Sequence, residues 1–269
     1  MLGLDHLSVL GMPPPEFVAL AAAAGFDEVS FFAHRLDINP LGYPEWSLVA
    51  DKGLRRDTRL ALDDLGMGVA LGEGCTILPG SDVDLHGPAL DAFAELGARR
   101  INMVSFENDP ARDFDQSCRL AELATAHGLK LCAEFSARPG RPAFADFTRR
   151  AASMPGGDVG VLIDAMHFFR TGAAVAELAG VDPARIVHLQ LCDIRLEAVT
   201  DYMEAAMHER LAPGDGSLAL EALIGALPAD VPISLELPQM RLALSGVPHD
   251  ERLKRAAAAS RALIGRARV

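Results

Sequence analysis

Cationic side chains are in short supply in this chain. Its 269 residues carry 25 Lys and Arg against 37 Asp and Glu, a formal net charge of −12. The sequence pI is about 5.1. Gripping a phosphate backbone takes a basic stripe, so no nucleic-acid partner is expected. A small neutral or metal-chelating substrate, or an acidic interior that binds a cation, suits this balance better. Cysteine is scarce as well. Cys75, Cys118, Cys132 and Cys192 form no CxxC pair, which argues against a structural zinc site and reads as reduced, mostly buried thiols of a cytoplasmic protein. No apolar run reaches about 18 residues, so no membrane span or membrane partner is expected. The opening MLGLDHLSVLGMPPPEF has neither the basic start nor the long apolar stretch of a signal peptide. No Gly/Ser linker or low-complexity stretch divides the chain, so a single domain over residues 1–269 is expected.

What is present is hydrophobic bulk in a repeating order. Half of the residues are hydrophobic, enough for a large core. Short apolar runs fall at 4–10, 27–32, 67–72, 99–104, 129–134, 159–164, 185–191 and 231–237. Most are rich in Val, Ile, Leu or Phe, as strands buried on both faces should be. Helical patterns lie between them at 14–25, 55–66, 85–97, 111–128, 144–154, 172–180 and 217–227, and a last one spans 249–268. Several stop at a glycine, and the first starts after prolines, as helix ends require. Alternating strands and helices predict βαβ units and a parallel sheet. Eight repeats in a chain of this length predict an α/β protein closed into a (β/α)₈ TIM barrel, for which about 250 residues is typical. The longest irregular stretch, 33–54, follows the second strand and is expected as a lid.

Active sites of such barrels lie at the C-terminal ends of the strands. Four runs here finish in an oxygen donor: LKLCAE in Glu134, VGVLID in Asp164, RIVHLQ in Gln190 and VPISLE in Glu236. A charge at the end of an apolar strand is costly unless it is paired or bound to a cation. Three carboxylates at one mouth repel one another, and a divalent ion relieves that repulsion. Oxygen-only ligation favours Mn²⁺ or Mg²⁺, with Co²⁺ or Zn²⁺ as further options.

At these residues the chain resembles the sugar phosphate isomerase/epimerase superfamily of xylose isomerase-like TIM barrels. The resemblance spans nearly the whole chain and is strongest from 129 to 238, in LCAEF, GVLIDAMHFFRTG, RIVHLQLCDIR, HERLAPGDGSLAL and ISLELP. It implies metal ligands at Glu134, Asp164, Gln190 and Glu236, with His167 in a D-x-x-H element. It also aligns Arg210, Pro213, Gly214 and Gly216 with an R-x-x-PG-x-G element. Two departures matter. Ketose 3-epimerases of the superfamily usually have His where this chain has Gln190. Glutamine there, with the pattern around His208 and Arg210, resembles the 3-dehydroshikimate dehydratase branch. The epimerases also carry a second Glu where this chain has Gly140.

Such a site points to a divalent-metal-dependent isomerase or epimerase of a small hydroxylated carbonyl compound: a sugar, a sugar phosphate or a cyclitol-like molecule. The reaction would pass through an enediolate held on the metal. A metal-dependent dehydratase and a non-catalytic ligand-binding barrel are the alternatives. DNA-repair endonucleases share the barrel but need a basic face and many more histidines. Glu134, Glu236 and His167 are the candidate catalytic residues. His167 lies one helical turn past Asp164 if that segment coils. Arg210, His208, His188, His6 and Arg138 are candidate substrate contacts. His188 and Gln190 share a strand face, and His6 and Ser8 share a face of the first strand. His34, Arg35 and Glu73 are weaker candidates. The GEG and PGDG segments read as turns rather than phosphate cradles. The Ala- and Leu-rich helices permit a homodimer or homotetramer.

Overall fold

Each apolar run supplies one strand: β1 (Leu2–Asp5), β2 (Glu28–Phe32), β3 (Gly68–Ile77), β4 (Arg100–Ser105), β5 (Lys130–Phe135), β6 (Gly160–Asp164), β7 (Ile186–Leu191) and β8 (Ile233–Leu235). All pair in parallel in chain order, and β1 closes the ring on β8 through Leu2↔Ile233 and Leu4↔Leu235. The protein is a (β/α)₈ TIM barrel, seen in a computed structural model that describes residues 1–138, 140, 142–155, 159–198 and 201–268. Its helices are α1 (Pro14–Ala24), α2 (Lys52–Leu65), α3 (Gly87–Glu95), α4 (Pro110–Ala126), α5 (Phe144–Ala152), α6 (Ala165–Arg170), α7 (Tyr202–His208), α8 (Leu220–Gly225), α9 (Met240–Leu244) and α10 (His249–Ala267). Gly25 ends α1 with φ +88°, a left-handed cap that a side chain would strain. The Asp51 and Asp109 carboxylates accept the free N–H groups that open α2 and α4. Among the described residues, no helix is long and apolar enough to cross a membrane. Among the described residues, no disulfide joins Cys75, Cys118, Cys132 or Cys192.

Side chains alternate along each strand, and residues in register share a face. Val161 and Ile163 of β6, Leu189 and Leu191 of β7, and Ile233 and Leu235 of β8 belong to one continuous apolar layer with the helices. The intervening positions face the lumen. Leu71, Cys132 and Leu162 pack together there. The other lumen positions include Asp5, Ser30, Asn102, His188, Gln190 and Ser234, all buried.

Several boundaries differ from expectation. The strand predicted at 4–10 stops at Asp5, and His6–Val9 turns as a 3₁₀ helix. His6 and Ser8 therefore do not share a strand face. β3 runs on to Ile77, so Glu73 lies inside it rather than at its end. β8 stops at Leu235, one residue short of Glu236. The helix expected at 172–180 is a 3₁₀ turn over Val175–Gly180; the α-helix after β6 is α6, which follows Asp164 directly. The α7 and α9 segments were not anticipated by periodicity. The 33–54 stretch gives its last residues to α2, and the loop before it is tied down. His34 bridges Ser47, Asn39 bonds the Tyr43 backbone in both directions, Arg35 pairs with Glu45, and Trp46 Nε1 donates to Gly11 O at 2.9 Å.

Candidate functional site

The four strand-end donors gather at the C-terminal mouth of the barrel. Glu134 is the penultimate residue of β5, Asp164 the last of β6, Gln190 the penultimate of β7, and Glu236 follows β8. Asp164 and Gln190 sit opposite each other in the β6–β7 register. Asp164 also caps α6, its Oδ1 accepting the His167 N–H at 2.9 Å. That bond turns the chain into a helix at once and brings the His167 ring back over the mouth.

Arg210 organises two of the four donors. Its guanidinium is 2% exposed and lies between Asp164 and Glu236. Nη1 donates to Asp164 Oδ2 at 2.5 Å, and Nη2 lies 2.8 Å from Glu236 Oε2. Nε donates to Ala206 O at 3.1 Å, and Nη1 also reaches Cys192 Sγ at 3.3 Å. These bonds tie the planar fork to Asp164, Glu236 and Ala206, while Arg210 also lines the cavity described below. The local sequence explains the placement. α7 ends at His208, and Asp193 and Leu211 exchange backbone bonds at 2.9 and 2.7 Å. The Asp193 carboxylate accepts the N–H groups of Gly214 and Leu218. A Cβ on Gly216 would stand 2.2 Å from Asp193 Oδ1, so only glycine fits there. PGDG is thus a turn that fixes Arg210, as its composition suggested.

Charge is uneven around this pair. Burial pushes the Asp164 carboxyl up, but the Arg210 guanidinium and His167 outweigh it and hold Asp164 below the ordinary range. Burial raises Glu236 well above its ordinary value; Arg210 opposes this, while Asp164, Glu134 and Asp5 add to it. One guanidinium therefore secures one carboxylate and leaves the other under negative pressure.

Glu134 is held separately. Asn102 Nδ2 donates to its Oε2 at 2.7 Å, and His167 Nε2 lies 3.4 Å from its Oε1. The His167 ring stacks on Tyr202, with centroids 5.5 Å apart and planes 12° off parallel. Sequence reasoning missed Asn102 and Tyr202. Asn102 carried a usable signal, a polar residue in the middle of an apolar run. Tyr202 carried none, because α7 itself was not foreseen.

Beneath the mouth lies a polar floor. Ser30 Oγ and Ser234 Oγ donate to the two oxygens of Asp5 at 2.6 and 2.7 Å. Ser234 spends its only proton on Asp5, so it must accept from His188 Nε2, 2.8 Å away. Burial pushes Asp5 up to about 6, and burial with Arg100 brings His188 down to about 3. The Gln190 side chain makes no hydrogen bond of ordinary geometry, although it is close enough to steady Asp5.

A cavity of about 220 Å³ opens over these groups. Glu73, Asn102, Glu134, His167, Arg210 and Glu236 line its lower wall. Leu36, Ile38, Phe106, Tyr202 and Met203 form an apolar collar above. The structure does not bring His6, His188, His208 or Arg138 onto this wall. His6 donates through Nε2 to Met12 O, accepts the Phe32 N–H at Nδ1, and is sandwiched by Phe17 and Trp46. His188 lies in the floor, and His208 ends α7 half-buried. Arg138 stacks over Phe106 at 3.9 Å from the ring centroid and donates to Ser105 O. His34 and Arg35 line a second cavity of about 400 Å³ that shares Phe32, Leu36, Glu73 and Gly74 with the first.

Among the described residues, no three His, Cys, Asp or Glu side chains are arranged to hold a metal ion. Two of the expected ligands lean on Arg210, and a third is an amide. The donor chemistry nevertheless fits a hard cation. The set is all oxygen, the Gln190 side chain makes no hydrogen bond of ordinary geometry, and acidic groups outnumber the one guanidinium among them.

The sequence profile of the xylose isomerase-like TIM barrel family matches residues 18–263. No curated protein is close enough in sequence to be matched. Among solved structures, a xylose isomerase-like TIM barrel/4-hydroxyphenylpyruvate dioxygenase fusion protein superposes with a TM-score of 0.78 at 21% identity. The match covers 96% of this chain but only 42% of the fusion protein. The IolI protein, solved with a bound zinc atom, gives a TM-score of 0.77 at 16% identity, covering 98% of each chain. The probable 3-DHS dehydratase AsbF from Bacillus anthracis gives 0.73 at 12% identity, covering 97% of this chain and 98% of its own. L-ribulose 3-epimerase gives 0.70 at 16% identity, covering 99% and 95%. At these identities the likeness is one of fold.

Proposed function

Since this chain belongs to the xylose isomerase-like TIM barrel family, we propose that it is a divalent-metal-dependent isomerase or epimerase of a small hydroxylated carbonyl compound. One observation carries the reading: Glu134 and Glu236 face the same cavity from β5 and from the end of β8, three strands apart in the ring. A substrate between them has a carboxyl group on either side of the carbon next to its carbonyl. One carboxylate removes that proton, and the other group returns it at a different face or carbon.

Asp164, Gln190, Glu134 and Glu236 would hold the metal, which when bound supplies Lewis acidity that makes the proton beside the carbonyl easier to remove. Asn102 fixes one oxygen of Glu134 and leaves the carboxylate aimed at the cavity. His167, stacked on Tyr202, stands beside the other oxygen, where it can hold a proton for exchange. Arg210 sets the spacing of Asp164 and Glu236. Phe106, Ile38 and Met203 offer the substrate an apolar edge at the cavity.

Gln190 and the fold shared with a probable 3-DHS dehydratase favour a second reading, loss of a β-hydroxyl after the same proton transfer. Proton NMR in D₂O with added Mn²⁺ separates the two. A ketose panel that gains deuterium beside the carbonyl, with an isomer as product, supports the first reading. Protocatechuate from 3-dehydroshikimate supports the second. No exchange in any compound, with each metal of a Mn²⁺, Mg²⁺, Co²⁺ and Zn²⁺ series, removes both and leaves a ligand-binding barrel.

A further inference from the structure

β3 is the longest strand, and its pairing with β4 breaks between Gly72 and Cys75. Gly74, inside the break, has φ +85°. Breaks of this kind re-aim side chains and gather beside active sites. The side chain carried here is Glu73. It is 3% exposed and lines the reaction cavity as well as the neighbouring one. Neither of its oxygens accepts a hydrogen bond from a protein N–H or O–H. The polar group beside it is the Asp5 carboxyl. Two carboxyl groups can bond each other only by sharing a proton, so at least one Glu73 oxygen is left for something else. Its register neighbour on β2, Phe32, has no polar side-chain atom to offer. An acceptor buried without donors costs stability, and native interiors rarely keep one without use.

We propose that Glu73 is a substrate-contacting residue whose carboxyl receives a hydroxyl group of the substrate at the β3 side of the cavity. The surroundings narrow the ligand class. Glu73, Glu134 and Glu236 line the same lower wall, so a phosphate or carboxylate is repelled from that end. The collar above is hydrocarbon and aromatic ring. The substrate is therefore an unphosphorylated compound at this end, with hydroxyls toward the floor and a C–H face toward Phe106, Ile38 and Met203. This rests on the carbonyl-compound reading above.

The test uses Glu73→Gln and Glu73→Leu in the full chain. Thermal midpoints are measured without ligand. Calorimetric titration then follows a fixed panel of unphosphorylated ketoses and 3-dehydroshikimate. The expected result is two folded variants melting at or above the parent, because a strained buried acid has been removed. Any compound that binds the parent should bind Glu73→Leu at least about tenfold more weakly, the cost of one lost polar contact. Variants that melt several degrees below the parent, or that do not accumulate folded, give Glu73 a structural role and overturn the inference. So does a compound that binds parent and Glu73→Leu alike. If no compound binds the parent, the carbonyl-compound reading fails, while the midpoints still decide for or against Glu73.

Discussion

On β6, Val161 and Ile163 turn outward into hydrocarbon shared with the helices, and Leu162 and Asp164 turn inward. The same alternation on β7 separates Leu189 and Leu191 from His188 and Gln190. Outside, nearly every position is apolar and interchangeable in kind; burying one Leu or Phe contributes roughly 1.5–3 kcal/mol whichever it is. Inside, several polar side chains have a particular partner: Asn102 for Glu134, Arg210 for Asp164 and Glu236, Ser234 between His188 and Asp5. The outer face contributes stability through area. The inner face holds charge in place at some expense of stability, and burial with neighbouring acids pushes the Glu236 and Glu73 carboxyls well above their ordinary range.

The contrast is sharpest in a pair of variants. Phe93 fills the space that Gly72 leaves open on the outer face, where a Cβ would stand 2.3 Å from the ring. Phe93→Ala should lower unfolding free energy by about 3–5 kcal/mol and leave turnover per folded molecule unchanged. Glu236→Gln should do the reverse: turnover falls about 10²–10⁴-fold while stability moves by less than about 1 kcal/mol. Urea unfolding and kcat on the same preparations check both, and matching profiles for the two variants would erase the division between faces. Arg210→Ala should breach it, because it strips the cation from two buried acids. A loss of about 3–5 kcal/mol is expected, partly restored by added Mn²⁺ if the four donors take up that ion. Calorimetric unfolding with and without the metal reads this, and an unchanged midpoint would show that the pair does not depend on the guanidinium.

The outer face was legible in the sequence because one physical rule repeats eight times. Apolar runs, helix-stopping glycines and their number were enough for a closed barrel, now seen in the β1–β8 pairing. Glu134, Asp164, Gln190 and Glu236 were findable because each is an oxygen donor ending an apolar run. What stayed hidden depends on distance in space. Arg210 reads from sequence as a substrate contact, and nothing in HERLAPGDG announces that it also pairs with Asp164, 46 residues away. His6 reads like any histidine near a strand end, and only the 3₁₀ turn after Asp5 places it between Phe17 and Trp46. Glu73 stands in the sequence only as a weaker candidate, because the break in strand pairing beside it has no sequence signature beyond a glycine.

His6 also supplies the smallest test, one of pH. Burial lowers its pKa from 6.5 to about 4, against a weaker opposing bond to Met12. The folded state therefore holds a neutral ring between those values, while the unfolded chain takes up a proton. Stability from this group is complete above the unfolded pKa, falls as pH drops from about 6.5 toward 4, and loses nothing further below that. The full span corresponds to about 3 kcal/mol. Phe fits the aromatic stack but forgoes the bonds to Met12 and Phe32. His6→Phe should therefore be less stable than the parent at pH 7.5. It should also lose less on going to pH 5, so that the two denaturation midpoints converge. Parallel pH dependence in parent and variant would mean that the acid sensitivity lies with other groups, His188 on the inner face first among them.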